Sequence, residues 1–301
     1  MSEILVESQQ LGKRYGGTSA LDGVSLELTA GDPIALVGPN GAGKTTLISL
    51  ICGFIGKSAG QLKVLGESPG ASALSGRLAA LPQDALLDPR LSVGRQLRFL
   101  ARLQGMPVKV ARNDVQRVLE TVDLLDSINT RPADLSHGMR KRIAIAQALL
   151  GSPELVLLDE PTAGIDPPNA KMIRDLIRQQ SATTTFLVSS HNLDELERLC
   201  STVVYLEKGR LVSVGPVVDD AAQAFITLRL ADVPESEFME AAGNLPEIQQ
   251  LSRSAQGDYL IQANDDMRAS LSLMQLLNDR HWKYRLMSRG KSLEERLYGK
   301  N

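Results

Sequence analysis

The stretch GPNGAGKTT at residues 38–46 sets narrow limits on the fold of this chain. It follows the pattern G-x-x-x-x-G-K-[ST], in which glycines let the backbone curl until successive N–H groups point inward at a phosphate. The apolar segment PIALVG runs into this stretch, and KTTLISLICGFI leaves it with the spacing of a helix. The sequence therefore predicts a buried strand, a phosphate-binding loop and a helix in direct succession.

Each residue type in this loop suits a nucleotide phosphate. The inward N–H groups and the N-terminus of the following helix offer partial positive charge to phosphate oxygens. The Lys44 ammonium brings a full charge to the β- and γ-phosphates, and the Thr45 hydroxyl suits a ligand of Mg²⁺. The residues that we expect to bind the nucleotide here are Gly38, Asn40, Gly41, Gly43, Lys44, Thr45 and Thr46.

Two adjacent carboxylates follow a second apolar segment, ELVLLDE. Asp159 comes directly after four apolar residues, and a carboxylate at such a strand end can hold phosphate-bound Mg²⁺ through water. Glu160 comes next and can take a proton from an attacking water, which favours hydrolysis over transfer to a second substrate. A guanine-specific site would need an NKxD-type motif, which the sequence lacks. A small-molecule kinase would usually lack the second carboxylate and carry an arginine-rich lid.

Strand and helix patterns alternate along residues 4–216. The segments EILVES and VSLELT alternate apolar and polar residues, as half-buried strands do, whereas ELVLLDE and TTTFLVSSH read as buried strands. The region from Pro89 to Leu150 has mostly helical periodicity and is long enough for a subdomain. The segment VVYLEKGRLVSVG predicts a β-hairpin that turns at Lys208 and Gly209. This alternation indicates an α/β fold with a largely parallel sheet.

The pattern changes after about Val217. The order of elements from FITLRLAD to HWKYRLMSR is β-α-β-β-α-β, and SLEERLYGK is predicted to end the chain as a short helix. A β-α-β-β-α-β order is typical of a ferredoxin-like domain. We therefore expect two domains, residues 1–216 and residues 217–301.

Composition and charge exclude several classes of protein. The 301 residues are 43% hydrophobic, which is ample for one large and one small buried core. The net charge of −2, without a charge run, argues against a nucleic-acid-binding surface. The N-terminus MSEILVESQQ does not resemble a secretory signal and no stretch of about 18 uncharged apolar residues occurs, so a role at a membrane needs a partner. Cys52 and Cys200 are far apart without a CxxC partner, which fits reduced, buried thiols in a cytosolic protein.

Five further stretches occur in a fixed order around the phosphate loop, namely KRYGG, LPQD, LSHGM, AGIDP directly after LVLLDEPT, and SSH. In this order they resemble the ATP-binding subunit of an ABC transporter, over residues 4–216. The resemblance implies an α/β fold of the ABC type among P-loop NTPases. Such a fold has a mostly parallel core sheet, an antiparallel β subdomain and a helical subdomain, and here a small α+β, ferredoxin-like C-terminal domain is expected to follow.

The resemblance gives roles in ATP binding and hydrolysis to three more residues. Tyr15 would stack its ring on adenine. Gln83 would reach Mg²⁺ and the attacking water, and would also sense the membrane partner. His191 would contact the γ-phosphate and hold the water together with Glu160. The implied cofactors are thus ATP and Mg²⁺, with Glu160, His191 and Gln83 as catalytic residues and Thr45, Gln83 and Asp159 as metal ligands.

The stretch LSHGM contains residues that, by the same resemblance, would complete the nucleotide site of another chain. Ser136 is a natural N-cap for the helix through MRKRIAIAQALL, and helix N-termini attract anions. By resemblance, Ser136 and Gly138 would face the γ-phosphate held by the opposite protomer, and Asp166 would lie on a loop that crosses between protomers. The active unit would then be two such chains arranged head to tail, with a homodimer expected and a second ATPase chain as mate the alternative.

Two stretches depart from the family pattern. The usual signature is LSGGQ, whereas this chain has His137 and Met139 at the third and fifth positions. The loop GIDP carries Gly164 and Ile165 before the aspartate, a mild variant. Because backbone N–H groups do most of the phosphate binding at the signature, and the catalytic residues are retained, we expect an active site.

The resemblance favours one biological role and leaves two alternatives. We expect the ATPase subunit of an exporter, bound through a separate transmembrane permease subunit to the cytoplasmic face of the inner membrane. The helical stretch between Gln83 and Leu135 would dock that subunit, and the C-terminal domain would support the dimer or regulate it. The first alternative is the ATPase of an importer. The second, a soluble ABC-type ATPase acting on nucleic acid or ribosomes, would need a long coiled-coil insert or a second nucleotide core, which the sequence lacks.

Overall fold

The computed structural model describes residues 3–217, 225–254, 257–290, 293 and 297. The chain divides into two units, Met1–Gly215 and Pro216–Asn301. The short helix predicted for SLEERLYGK falls outside the described residues, apart from Leu293 and Leu297. Among the described residues no helix has the length and apolar content needed to cross a membrane.

The first unit contains nine strands and six α-helices among its described residues. The strands are β1 (Ile4–Tyr15), β2 (Thr18–Thr29), β3 (Ile34–Val37), β4 (Ala59–Val64), β5 (Leu78–Leu81), β6 (Leu155–Asp159), β7 (Thr185–Ser189), β8 (Thr202–Glu207) and β9 (Arg210–Pro216). The helices are α1 (Lys44–Ile51), α2 (Val93–Leu103), α3 (Val108–Thr121), α4 (His137–Ala148), α5 (Pro167–Gln180) and α6 (Leu193–Leu199). Single 3₁₀ turns lie at Ser72–Leu74, Leu125–Ser127 and Pro132–Asp134.

The core sheet has six strands in the order β5-β6-β7-β3-β8-β9. The first five of these pair in parallel. All residues of β3, β6 and β7 are buried, as expected for parallel strands covered on both faces. The chain returns from β8 to β9 through Lys208 and Gly209, whose φ angles of 49° and 79° suit a tight hairpin turn. The mostly parallel sheet and the hairpin are therefore confirmed.

An antiparallel sheet, in the order β2-β1-β4, forms a second layer. Its inward residues, Leu5 and Val24 among them, belong to one apolar core with Leu47 and Ile51 of α1 and Leu157 of β6. The phosphate loop and α1 are thereby held between two sheets. This layer is the predicted antiparallel β subdomain, and helices α2, α3 and α4, between β5 and β6, form the predicted helical subdomain.

The second unit is a four-stranded antiparallel sheet with two helices. Its elements are β10 (Phe225–Ala231), α7 (Glu235–Gly243), β11 (Ile248–Arg253), β12 (Tyr259–Ala263), α8 (Asp266–Asp279) and β13 (Lys283–Arg289). The strand order is β11-β12-β10-β13, which is the arrangement of the expected ferredoxin-like fold. Its core centres on Phe238, whose ring centroid lies 4.4 Å from that of Tyr259.

Candidate active site

The phosphate loop joins the carboxyl end of β3 to the N-terminus of α1. Gly43 sits at the N-cap of α1 with a φ of 104°. A Cβ at this position would lie 2.6 Å from Leu21 Cδ2 and 2.7 Å from the Ala20 carbonyl oxygen, so the close approach of β2 requires glycine. The Lys44 ammonium donates to the carbonyl oxygens of Gly38 at 2.6 Å and Pro39 at 3.2 Å, which places its charge inside the loop.

The donors expected for a metal lie next to each other. The Thr45 hydroxyl donates to Asp159 Oδ2 at 3.3 Å, although 114 residues separate the two in sequence. A hydroxyl and a carboxylate are hard oxygen ligands of the kind that Mg²⁺ prefers, with water and phosphate oxygens as its other ligands. The described residues contain no cluster of three or more His, Cys, Asp or Glu side chains suited to a metal. The Thr45 hydroxyl and the Asp159 carboxylate fit Mg²⁺ bound together with the phosphates of a nucleotide.

Ser189, at the end of β7, joins the two carboxylate residues. Its hydroxyl donates a short hydrogen bond to Asp159 Oδ1 and accepts the Glu160 N–H at 3.2 Å. The Ser189 carbonyl oxygen accepts the same N–H at 3.1 Å. Ser189 is fully buried, so water does not compete for these bonds. The sequence reasoning gave this residue no role, and its place two residues before His191 was the available signal.

Glu160 and His191 form a pair at the edge of the sheet. Glu160 Oε2 lies 2.9 Å from His191 Nδ1. The Glu160 side chain is largely buried whereas the histidine is mostly exposed, so the histidine approaches from the solvent side. Glu160 has a φ of 51°, in the left-handed region that a non-glycine residue seldom adopts. The two bonds from its N–H to Ser189 hold this strained backbone in place.

The phosphate loop, Asp159 and Glu160 line a cavity of about 420 Å³, whereas Ser189 and His191 are not among its lining residues. Its lining consists of Tyr15, Thr18, Ser19, Ala20, Asn40, Gly41, Ala42, Gly43, Lys44, Thr45, Thr46, Gln83, Asp159 and Glu160. Tyr15 is 50% exposed, and the Lys13 ammonium lies 4.9 Å from the centroid of its ring. An exposed ring beside a cavity that ends in a phosphate loop is suited to stack on a base.

Gln83 belongs to a second concave surface as well. An apolar groove of about 710 Å³ is lined by residues of the loop after β5, of the turn before α4 and of α4 itself. Its residues are Gln83, Asp84, Ala85, Leu86, Leu87, Pro89, Pro132, Ala133, His137, Arg140, Lys141 and Ala144. The Lys141 ammonium donates to the Gln83 carbonyl oxygen at 3.1 Å, and burial holds the pKa of Lys141 below its ordinary value. Gln83 thus lies where the nucleotide cavity meets the groove.

Four of the predicted nucleotide-binding residues do not line the cavity of their own chain, namely Gly38 at the start of the phosphate loop and Ser136, Gly138 and Asp166. Ser136 caps α4, and its hydroxyl accepts the Met139 N–H at 3.2 Å. Gly138 packs against α5, because a Cβ there would lie 2.5 Å from Asn169 Cγ. Asn169 in turn donates to Asp166 Oδ1 at 2.5 Å. Ser136, the buried Gly138 and Asp166 therefore form one cluster, separate from the cavity lining.

Comparison with known proteins identifies the family. A protein-family model described as ABC transporter matches residues 21–163. The Nod factor export ATP-binding protein I of Paraburkholderia xenovorans is 34% identical over 218 residues, which make up 71% of this chain and 72% of the relative. The linearmycin resistance ATP-binding protein LnrL of Bacillus subtilis is 32% identical over 218 residues, 71% of this chain and 70% of that protein.

Solved structures show the same relationship. An ATP-binding subunit of an ABC transporter is 29% identical with a TM-score of 0.64, covering 71% of this chain and 90% of that one. The protein cbiO1 from Clostridium perfringens, part of the ABC transporter complex cbiONQ, is 27% identical with a TM-score of 0.64 and coverages of 71% and 89%. The chain therefore belongs to the ABC transporter family, as an ATP-binding subunit that hydrolyses ATP.

Proposed function

We propose that this chain drives export through a separate membrane-spanning subunit and that it dimerises on ATP. The direction is supported by similar proteins that are named for Nod factor export and linearmycin resistance. The main alternative is an importer ATPase, because cassettes from other kinds of ABC complex have the same fold. The substrate path would lie in the membrane subunit, so this chain's residues do not define the substrate.

The residues around the cavity support a division of labour in hydrolysis. The loop residues Gly38, Asn40, Gly41, Gly43, Lys44, Thr45 and Thr46 hold the phosphates, and Tyr15 holds the adenine. Thr45 and Asp159, with Gln83, hold Mg²⁺, which supplies charge neutralisation when bound. Glu160 takes the proton of the attacking water, and His191, 2.9 Å from its carboxylate, keeps Glu160 oriented and contacts the γ-phosphate.

The cluster of Ser136, Gly138 and Asp166 supports a site completed by a second copy. An N-capped helix terminus favours an anion, yet these residues are not part of the cavity lining of their own chain. In a head-to-tail homodimer they face the γ-phosphate of the partner, and each of the two sites is complete only in the dimer. ATP binding then closes the dimer, and hydrolysis lets the two copies part.

The position of Gln83 is the single observation that carries the coupling to a membrane subunit. Gln83 lines both the nucleotide cavity and the apolar groove. Leu86, in the same loop, lines the groove and is 92% exposed, and a contiguous exposed apolar surface rimmed by polar residues is typical of a protein interface. We assign this groove to the transmembrane permease subunit, which would hold the chain at the cytoplasmic face of the inner membrane. Residues 1–216 are the ATP-binding domain in this scheme, and residues 217–301 are an accessory domain that supports the dimer or regulates it.

Two variants test these assignments. Glu160→Gln is expected to keep ATP binding, lower kcat by about 10²- to 10⁴-fold and trap an ATP-bound dimer, because the general base is lost and the fold is kept. Normal turnover by this variant would disprove the role of Glu160 as the general base.

Leu86→Glu is expected to leave basal ATPase activity unchanged and to abolish binding to the membrane subunit in detergent. Retained binding would disprove the docking groove, and ATP-driven uptake of substrate into inside-out vesicles distinguishes export from import.

A further inference from the structure

A buried carboxylate lies behind the site and belongs to none of the roles above. Glu195, on α6, is 8% exposed. The Thr162 hydroxyl donates to its Oε2 at 2.6 Å, and Arg174 Nη1 donates to its Oε1 at 2.9 Å. Both oxygens of the carboxylate are therefore engaged, and bonds to a charged acceptor are stronger than neutral ones.

The three partners come from segments that lead directly into the site. Thr162 lies two residues after Glu160, in the turn that continues to Asp166. Arg174 lies on α5, which has Asp166 at its N-cap. Glu195 is in the first turn of α6, four residues after His191. The carboxylate thus ties both the start of the turn at residues 161–166 and the helix that follows this turn to the segment that carries His191.

We propose that Glu195 is a positioning residue that couples the His191 segment to the Asp166 loop. A shift of His191 on loss of the γ-phosphate would pull on Thr162 and Arg174 together, and would move the loop that contacts the partner copy. The hydrolysis state of one site would thereby reach the dimer interface. This inference rests on the roles proposed above for Glu160, His191 and Asp166.

A purely structural ion pair would behave differently from a coupling element. Loss of a structural pair lowers the melting temperature and leaves the turnover of the folded fraction unchanged. Loss of the coupling misplaces Glu160 and His191 against the water, which lowers kcat while the phosphate loop still binds ATP with the same KM.

The experiment uses the full chain and three variants, two at Thr162 and one at Glu195. Thr162→Val removes the hydroxyl, Thr162→Ser restores it, and Glu195→Gln keeps an acceptor for Thr162 while removing the charge that faces Arg174. Asp175→Asn is the matched control, because Asp175 makes an exposed pair with Lys171 on the same helix as Arg174. The readouts are kcat, KM for ATP, the melting temperature and, in the Glu160→Gln background, the ATP-dependent dimer.

We expect Thr162→Val and Glu195→Gln to lower kcat about tenfold with KM changed by less than about twofold, since small misplacements of catalytic groups cost rates of this order. They should also weaken the trapped dimer, whereas Thr162→Ser and Asp175→Asn should behave as wild type. Unchanged kcat in both Thr162→Val and Glu195→Gln would overturn the coupling, as would a loss of activity that follows the folded fraction alone. Normal ATP hydrolysis by Glu160→Gln would instead disprove the role of Glu160 as the general base, and this result is distinct from the failure of the coupling through Glu195.

Discussion

The side chain of Phe238 offers a direct test of how the second unit is built. Phe238 is fully buried, and its ring centroid lies 4.4 Å from that of Tyr259 and 6.1 Å from that of Trp282. Phe238→Ala removes a whole ring from this core, which costs about 3–5 kcal/mol because the cavity collapses only in part. A small domain has a total stability of only about 5–15 kcal/mol, so this variant should lose much of the stability of the unit Pro216–Asn301.

The unfolding of the second unit can be followed by tryptophan fluorescence. Trp282 is the single tryptophan, so the fluorescence of urea-denatured samples follows the second unit. We expect the midpoint of the tryptophan transition to fall sharply in Phe238→Ala. Leu271→Ala is the control, because Leu271 is 64% exposed on α8 and should leave the midpoint nearly unchanged. An unchanged midpoint in Phe238→Ala would refute the reasoning.

Two further predictions concern buried polar groups. Burial raises the pKa of Cys52 and of Cys200 from 9.0 to about 12, so both thiols should resist alkylation at pH 8–9 in the folded chain and react in urea. Since the unfolded thiols ionise first, their contribution to stability should be full below pH 9 and should decline as the pH rises towards 12, as urea titrations would show. Ser189→Ala should cost about 1.5–3 kcal/mol of stability, because Asp159 loses a bond to its charged carboxylate, and should lower kcat more than Ser190→Ala. Equal kcat values in the two serine variants would contradict the bridging role.

Much of the first unit follows from local sequence. The buried strands β3, β6 and β7 are nearly continuous apolar runs. Such runs can be recognised in the sequence, because strands of a parallel sheet that is covered on both faces are apolar at successive positions. Strand β4 was not predicted, since only two of its six residues are buried and its alternation of polar and apolar residues is confined to the four residues QLKV. Helix α6 was missed because its seven residues are too few to show a clear period.

The active-site residues likewise divide into those that local sequence indicates and those that depend on tertiary contacts. Motif spacing indicates Lys44, Asp159 and Glu160, because each lies at a strand or helix end that its own sequence marks. The bonds from Ser189 to Asp159 and from Thr162 to Glu195 join residues about 30 positions apart, and depend on which strands become neighbours. The left-handed backbone of Glu160 is likewise a product of tertiary contacts, because glutamate has no preference for it. The helix cap at Ser136 was predictable, since serine before a helix is a local signal.

The most direct test of the composite site is complementation between two inactive variants. Lys44→Ala removes the phosphate contact in its own cavity, and Ser136→Arg blocks the helix terminus offered to the partner. Each variant alone should be folded and inactive. On mixing, about half of the dimers pair the two variants and each contains one intact site, so roughly a quarter of the wild-type ATPase rate should return. If mixing restores no activity although mixed dimers form, or if monomeric wild-type chain hydrolyses ATP at the full rate, the two-copy site is contradicted.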